Sequence, residues 1–243
     1  MSHPIVVAHR GANLDIPEQT LAAYSRAIEL GADGIECDVR FTRDGHLVCH
    51  HDRTIERTSN GTGSISRLTL AQLQEFNFSG KHGPDAGRHQ ITTFASLLEL
   101  VDAAERPITM FIEAKHPSRY GARVEEAIHA ALADYPDIPA VVMSFSRAAV
   151  TRYRRLDRDI DLVWLYEYAL GRPPAGATVI GPRLDQVQND PELIARHQAK
   201  GRRVFVWTVN SAPDVKLVAE AGADAIITDD PELVLSTLDA TSR

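Results

Sequence analysis

The chain is short of cysteine, of surplus positive charge and of long apolar runs, and each shortage removes a class of function. Two cysteines, Cys37 and Cys49, among 243 residues do not build a disulfide framework for a chain of this size. Both lie in apolar runs, and Cys37 alternates with Glu36 and Asp38. Its side chain therefore turns to the opposite strand face and reads as a small buried packing residue, not a nucleophile. Only 26 Lys and Arg stand against 33 Asp and Glu, a net charge of −7. Nucleic acid is excluded as a partner, because its phosphate backbone needs a continuous basic face; a local basic pocket is still allowed. No window approaches the roughly 18 uninterrupted apolar residues of a transmembrane helix, so no stable membrane insertion is expected. The segment MSHPIVVAHR runs straight into a strand with no apolar leader, which gives the expectation of a cytoplasmic protein. There is no internal repeat, and nothing in the composition sets an oligomeric state.

What is present is an alternation. A hydrophobic content of 44% suffices for a sizeable core, and residues 1–243 read as a single domain. Strand-like runs at 5–9, 34–40, 109–114, 140–145, 162–166, 178–181, 204–209 and 225–228 are interleaved with helical spacing at 19–30, 94–104, 121–133, 147–156, 191–200 and 213–221. A further arm at 47–51 follows the turn Arg43-Asp44-Gly45 and reads as a hairpin extension of the second strand. Eight strands with intervening helices in this length fit a TIM-type (β/α)8 barrel. Between 53 and 90 the pattern dissolves into Gly- and Ser-rich sequence with only 70–76 looking helical, an insertion expected to lie over the mouth of a site.

Four short polar groups stand where apolar strands run out: His9-Arg10, Glu36-Cys37-Asp38, His51-Asp52 and Glu113-Ala114-Lys115. Residues i and i+2 of a strand share a face, so Glu36 joins Asp38, and Glu113 joins Lys115. Three clustered acids raise one another's pKa unless a cation sits among them. A hard divalent ion with oxygen ligands, flanked by histidines for proton transfer and by Arg and Lys for an anion, suits metal-assisted cleavage of a phosphate ester. An ion pair of Glu36 and Asp38 with Arg40 or Arg43 is the alternative, but it leaves two acids pointing into a barrel interior.

Read in order, the chain gives VAHRGA, PEQT, GADGIECDVRFTRDGHLVCHHD, RTSNGTG, FIEAK, SFS, VWTVN and IITDDP. This ordered series resembles the glycerophosphodiester phosphodiesterase family from Val7 to Pro231. The resemblance implies a TIM-type barrel with a small insertion after the second strand. It also implies hydrolysis of a small glycerophosphodiester to sn-glycerol 3-phosphate and an alcohol. By the same match Glu36, Asp38 and Glu113 hold a divalent cation, Mg or Ca; His9 and His51 are the acid/base pair; Arg10 and Lys115 hold the phosphate. A lysophospholipase D-like enzyme using the same site is the rival activity, and it calls for an exposed apolar lip, for which the insertion offers Leu68, Leu70, Leu73, Phe76 and Phe78. A catalytically silent binding protein is the rival from another class.

Further residues carry narrower expectations. Trp207 and Phe145, aromatics at strand ends, either pack the barrel or wall the pocket against a choline-like cation. Asp52 is expected to orient His51, and His50, on the opposite face, to be surface or structural. Asn60-Gly61-Thr62-Gly63 does not open a helix after a strand and is discounted as a phosphate loop. Pro17-Glu18-Gln19-Thr20 departs from the family's usual Pro-Glu-Asn-Thr, from which no site role is expected for Gln19. A second departure, Gln90-Ile91-Thr92-Thr93-Phe94, falls at the join of insertion and barrel.

Overall fold

The structure is a computed structural model that describes residues 3–83, 87–168 and 171–241; residues 84–86 of the expected insertion lie outside them. The strands are β1 (Ile5–His9), β2 (Gly34–Phe41), β3 (Leu47–Cys49), β4 (Thr109–Ala114), β5 (Ala140–Ser144), β6 (Asp161–Tyr166), β7 (Val179–Pro182), β8 (Arg203–Val206) and β9 (Ala225–Thr228). They follow the order β1-β9-β8-β7-β6-β5-β4-β2, and β1 also pairs with β2, which closes the cylinder. All eight of these strands run parallel, while β3 pairs antiparallel with β2 as the hairpin arm. The fold is the TIM-type barrel that the alternation predicts.

The helices are α1 (Leu21–Glu29), α2 (Leu70–Gln74), α3 (Phe94–Asp102), α4 (Arg123–Ala133), α5 (Arg147–Leu156), α6 (Leu184–Asn189), α7 (Leu193–Gln198), α8 (Ala212–Glu220) and α9 (Pro231–Thr241). Several begin where a hydroxyl satisfies an orphan N–H: Thr20, Thr93, Ser146 and Ser211 each accept from the third residue onward. Among the described residues no helix is long and apolar enough to cross a membrane.

Period-two alternation sorts each strand into an outer face against the helices and an inner face along the axis. The inner face carries Val7, Phe111, Val141, Val163, Val179, Phe205 and Ala225, fully or almost fully buried in one cluster. Phe111 and Phe205 meet edge to face with centroids 5.6 Å apart. Full burial of each ring contributes about 1.5–3 kcal/mol. Further along the inner face β1, β2 and β4 carry His9, Glu36, Asp38 and Glu113, while β5, β6 and β9 stay apolar at Met143, Leu165 and Ile227. The barrel is thus plugged below by hydrocarbon and polar above on one side, at the carboxyl ends of its strands.

The segment between β3 and α3 differs from the expected irregular loop. Ile55, Ile65, Leu73 and Phe78 are buried with Val48 and Ile91 in a cluster of their own, against which Leu68, Leu70 and Phe76 pack. A capping box at Thr69 and Gln72 starts α2. The apolar residues that could have formed a lipid-facing lip are turned into this small core. The expected strand at 204–209 is also shorter than its apolar run. After Val206 the chain leaves the ladder, keeps one bridge from Trp207 to Arg183, and turns the Trp207 indole to donate to Gly181 O at 2.8 Å.

Candidate active site

Register brings the polar groups together. His9 lies opposite Glu36 across the β1–β2 ladder, and Asp38 opposite Glu113 across β2–β4. Neighbouring strands therefore stack two pairs of functional side chains on one face. One oxygen from each of Glu36, Asp38 and Glu113 lies within 4.8 Å of the others, and all three residues are buried. Lys115 Nζ sits 3.0 Å from Asp38 Oδ1 and 2.9 Å from Glu113 Oε1, while Arg10 Nε is 3.1 Å from Asp38 Oδ2. The alternative pairing of the acids with Arg40 or Arg43 does not form: Arg40 instead donates twice to the His51 carbonyl, at 2.9 and 2.7 Å.

The three carboxyl groups respond differently to one environment. Burial, then the neighbouring Asp38, pushes Glu36 well above the usual carboxylate range. Burial pushes Glu113 up to about 8 against the pull of Lys115. Burial also acts on Asp38, but Lys115 and Arg10 outweigh it and hold that carboxyl well below its usual value. Three acids facing two cations leave a site whose chemistry fits a hard divalent ion: all donors are oxygen, and Asp38 Oδ1 is buried without a well-aligned hydrogen bond.

The loop after β1 is shaped by backbone constraint. Arg10 and Gln19 both have left-handed φ, at 60° and 61°. Arg10 N donates to both the carbonyl and the Oε2 of Glu36, each at 3.1 Å, which seats the loop on β2. Gly11 follows at φ 85°, and a Cβ there would stand 2.6 Å from the backbone carbon of Ala23 in α1. No side chain fits. Gly11→Ala is expected to cost about 2 kcal/mol or more of stability, read as a lowered denaturant midpoint with an unchanged slope.

Gln19 departs from the expectation drawn from the sequence. It is buried, its Nε2 donates to Asp38 Oδ2 at 2.6 Å, and its Oε1 accepts from Tyr24 Oη at 2.5 Å. The longer side chain does reach the acid cluster, because the left-handed turn aims it there. It holds the orientation of Asp38 from behind.

Each histidine is backed by a carboxylate. His9 Nδ1 is 2.7 Å from Asp229 Oδ1, and His51 Nδ1 is 2.7 Å from Asp52 Oδ1. An ionised carboxylate only accepts, so Nδ1 carries the proton in both rings and Nε2 is left facing the site, 4.0 Å from Glu36 Oε2 in the case of His9. Asp229 is fixed by Asn13 Nδ2 and Asn210 Nδ2, both at 2.6 Å. Burial raises the Asp229 pKa, but hydrogen bonds from His9, Asn13 and Asn210 hold it far below the usual range. Burial likewise acts on Asp52, and Arg57 and His51 hold it down at about 2. His51 itself is brought down to about 4, first by burial. Arg57 also bonds Glu18, at 2.6 and 2.9 Å, tying the segment after His51 to the loop after β1.

These groups open on a cavity of about 230 Å³ lined by His9, Arg10, Glu36, His51, Glu113 and Lys115 on one side. Phe145, Trp207, Met143, Leu165 and Ile227 line the other. Phe145 and Trp207 meet edge to face at 5.3 Å, with Lys115 Nζ 5.9 Å from the Phe145 ring. Asp38 lies beneath this lining. His50 is buried and structural, bonded to Thr58 Oγ1 and the Asp52 carbonyl, and both cysteines are free and buried. Asp229, Asn13 and Asn210 are groups around the site to which the sequence pattern assigned no role.

Residues 9–233 match the model of the glycerophosphoryl diester phosphodiesterase family. A protein of Mycobacterium tuberculosis described as a probable glycerophosphodiester phosphodiesterase 1 is 44% identical, over 94% of this chain and 90% of its own length. A glycerophosphodiester phosphodiesterase of Caldanaerobacter subterraneus is 33% identical over 96% of each chain. Among solved structures, an Oleispira antarctica phosphodiesterase in complex with the product sn-glycerol-3-phosphate superposes with a TM-score of 0.85 at 23% identity, covering 98% of this chain and 97% of its own.

Proposed function

The chain belongs to the glycerophosphoryl diester phosphodiesterase family and is a phosphoric diester hydrolase of glycerophosphodiesters, and we propose that it releases sn-glycerol 3-phosphate and an alcohol using His9 and His51 as its acid/base pair. The observation that carries this reading is the convergence in one cavity of two histidines, each with Nδ1 on a carboxylate, beside three buried acids. The single barrel domain, with the segment 53–90 beside its mouth, forms the whole catalytic unit in this proposal.

A phosphodiester resists attack because its anionic oxygens repel nucleophiles, so catalysis consists mostly of neutralising charge and moving protons. Glu36, Asp38 and Glu113 would hold a divalent cation, Mg or Ca, whose part when bound is to draw charge from the phosphoryl oxygens. Arg10 and Lys115 add fixed positive charge beside the same oxygens. One histidine, neutral with its proton on Nδ1, takes the proton of the attacking hydroxyl at Nε2; the other enters the step as an imidazolium, protonated at both nitrogens, and gives its Nε2 proton to the alcohol oxygen as its bond to phosphorus breaks. Asp229 and Asp52 keep each ring in the tautomer this needs. Phe145 and Trp207 form an apolar wall along the organic part of the substrate. The product found in the Oleispira antarctica structure supports sn-glycerol 3-phosphate as the product here.

The deciding assay follows glycerol 3-phosphate release from glycerophosphocholine by chelator-stripped protein, before and after Mg or Ca is returned. Restored turnover is expected. Silence with both metals would overturn the reading and send the search to lysophospholipids. That rival has less support, since the apolar residues of the insertion are spent on its own core.

A further inference from the structure

A second recess, of about 70 Å³, adjoins the catalytic cavity and shares Lys115 with it. Its charged lining is Arg40, Arg53, Arg119 and Lys115, with Ser64 and Ser66 among its hydroxyls and no carboxylate. The cations of the catalytic cavity and its rim are placed differently. Arg10 is paired with Glu18 and Asp38, Arg57 with Glu18 and Asp52, and Lys115 with Asp38 and Glu113.

The three arginines of the recess form no ion pair among the described residues. Arg40 spends two of its five N–H groups on the His51 carbonyl, and Arg119 spends one on Ser66 O at 3.2 Å. Arg53 makes no side-chain hydrogen bond among the described residues. Guanidinium groups gathered with no carboxylate in direct contact repel one another, as Arg53 does Arg40, and an oxyanion relieves that repulsion while using their spare donors. At about 70 Å³ the recess has room for more than a single water and for one small oxyanion.

Position decides which anion. Arg40 follows Asp38 by two residues on one strand face, Arg53 follows His51 by two, and Lys115 spans both spaces. A charge held here is therefore one short spacer away from the phosphorus under attack. Resting on the hydrolase reading above, we propose that this recess binds a second phosphate carried by the alcohol half of the substrate. The enzyme then selects glycerophosphodiesters whose alcohol is itself phosphorylated or phosphodiester-linked over those with a neutral or cationic alcohol.

The test compares kcat/KM for glycerophosphocholine and for glycerophosphoglycerophosphoglycerol, with wild type and with Arg53→Gln/Arg119→Gln. Wild type should favour the two-phosphate substrate by about tenfold, the scale of one charge-assisted hydrogen bond. The double variant should lose that preference while its glycerophosphocholine value stays within about twofold, since these charges lie off the first phosphate. Arg53→Gln alone, which removes no hydrogen bond of the fold, should lose part of it if the double variant does not fold. No preference in wild type, or an equal fall for both substrates, overturns the proposal. Should wild type turn over neither compound, the hydrolase reading fails separately. The recess is then judged by calorimetry on His9→Ala, where tighter binding of the two-phosphate compound that Arg53→Gln abolishes supports it and equal binding overturns it.

Discussion

Glu36→Gln is expected to abolish metal-dependent turnover, with a fall of about a thousandfold or more, while the protein still folds. Glutamine fills the volume of glutamate, so packing against the β1 loop is kept. Its amide oxygen also still accepts from Arg10 N, which now bonds Glu36 Oε2 at 3.1 Å. What is lost is one of the three carboxylates whose oxygens gather within 4.8 Å. Arg10 and Lys115 already place two positive charges there, so only all three acids ionised around an entering cation leave the site net negative; glutamine cannot give up a proton to that cation, and the site then reaches neutrality at most. Transition-state charge stabilisation by a metal amounts to several kcal/mol, and about 4 kcal/mol corresponds to the thousandfold loss. Calorimetry with Mg and Ca should show affinity lost with activity. The rise in Tm that metal gives wild type should vanish as well, because a ligand stabilises only the state that binds it. Retained metal binding with retained turnover would remove Glu36 from the site.

The inner face of the barrel is legible in the order of residues along each strand. The series 7, 9 on β1, 34, 36, 38 on β2 and 111, 113 on β4, carried on to 115, changes from apolar to polar, and period two alone puts each series on one face. The same rule carried through Ala225, Ile227 and Asp229 aims Asp229 inward beside His9, though the two are 220 positions apart. Gln19 is different, because its aim depends on a left-handed φ of 61° that no side-chain pattern encodes. The insertion hides its core for a related reason. Ile55, Ile65, Leu73 and Phe78 follow neither the helical nor the strand period, since the chain carrying them is mostly turns. Irregular backbone still closes a small core when its apolar residues converge.

His9→Ala is expected to lower kcat by about 10³–10⁴-fold with metal affinity largely kept, and Asp229→Asn is the more informative companion. Alanine at position 9 removes the proton carrier but touches none of the three acids, whose nearest approach to the ring is the 4.0 Å from Nε2 to Glu36. Asparagine at 229 leaves the imidazole in place and changes only what it faces. Asn13 and Asn210 now donate to the two oxygens of Asp229, so an amide there must turn one NH2 toward a donor or toward His9. An amide nitrogen facing Nδ1 would place the ring proton on Nε2 and take away the carboxylate that supports an imidazolium, so the ring is left unfit either to accept a proton at Nε2 or to be held charged for giving one. Loss of kcat with an unchanged KM and unchanged metal affinity is the expected pattern, and nitrogen NMR of the labelled ring should report the exchanged tautomer. The corresponding change at Asp52 acts on a more exposed pair that Arg57 also holds, so its effect should be smaller. If Asp229→Asn leaves kcat intact while the tautomer flips, His9 is not the group that moves the proton, and the acid/base assignment falls with it.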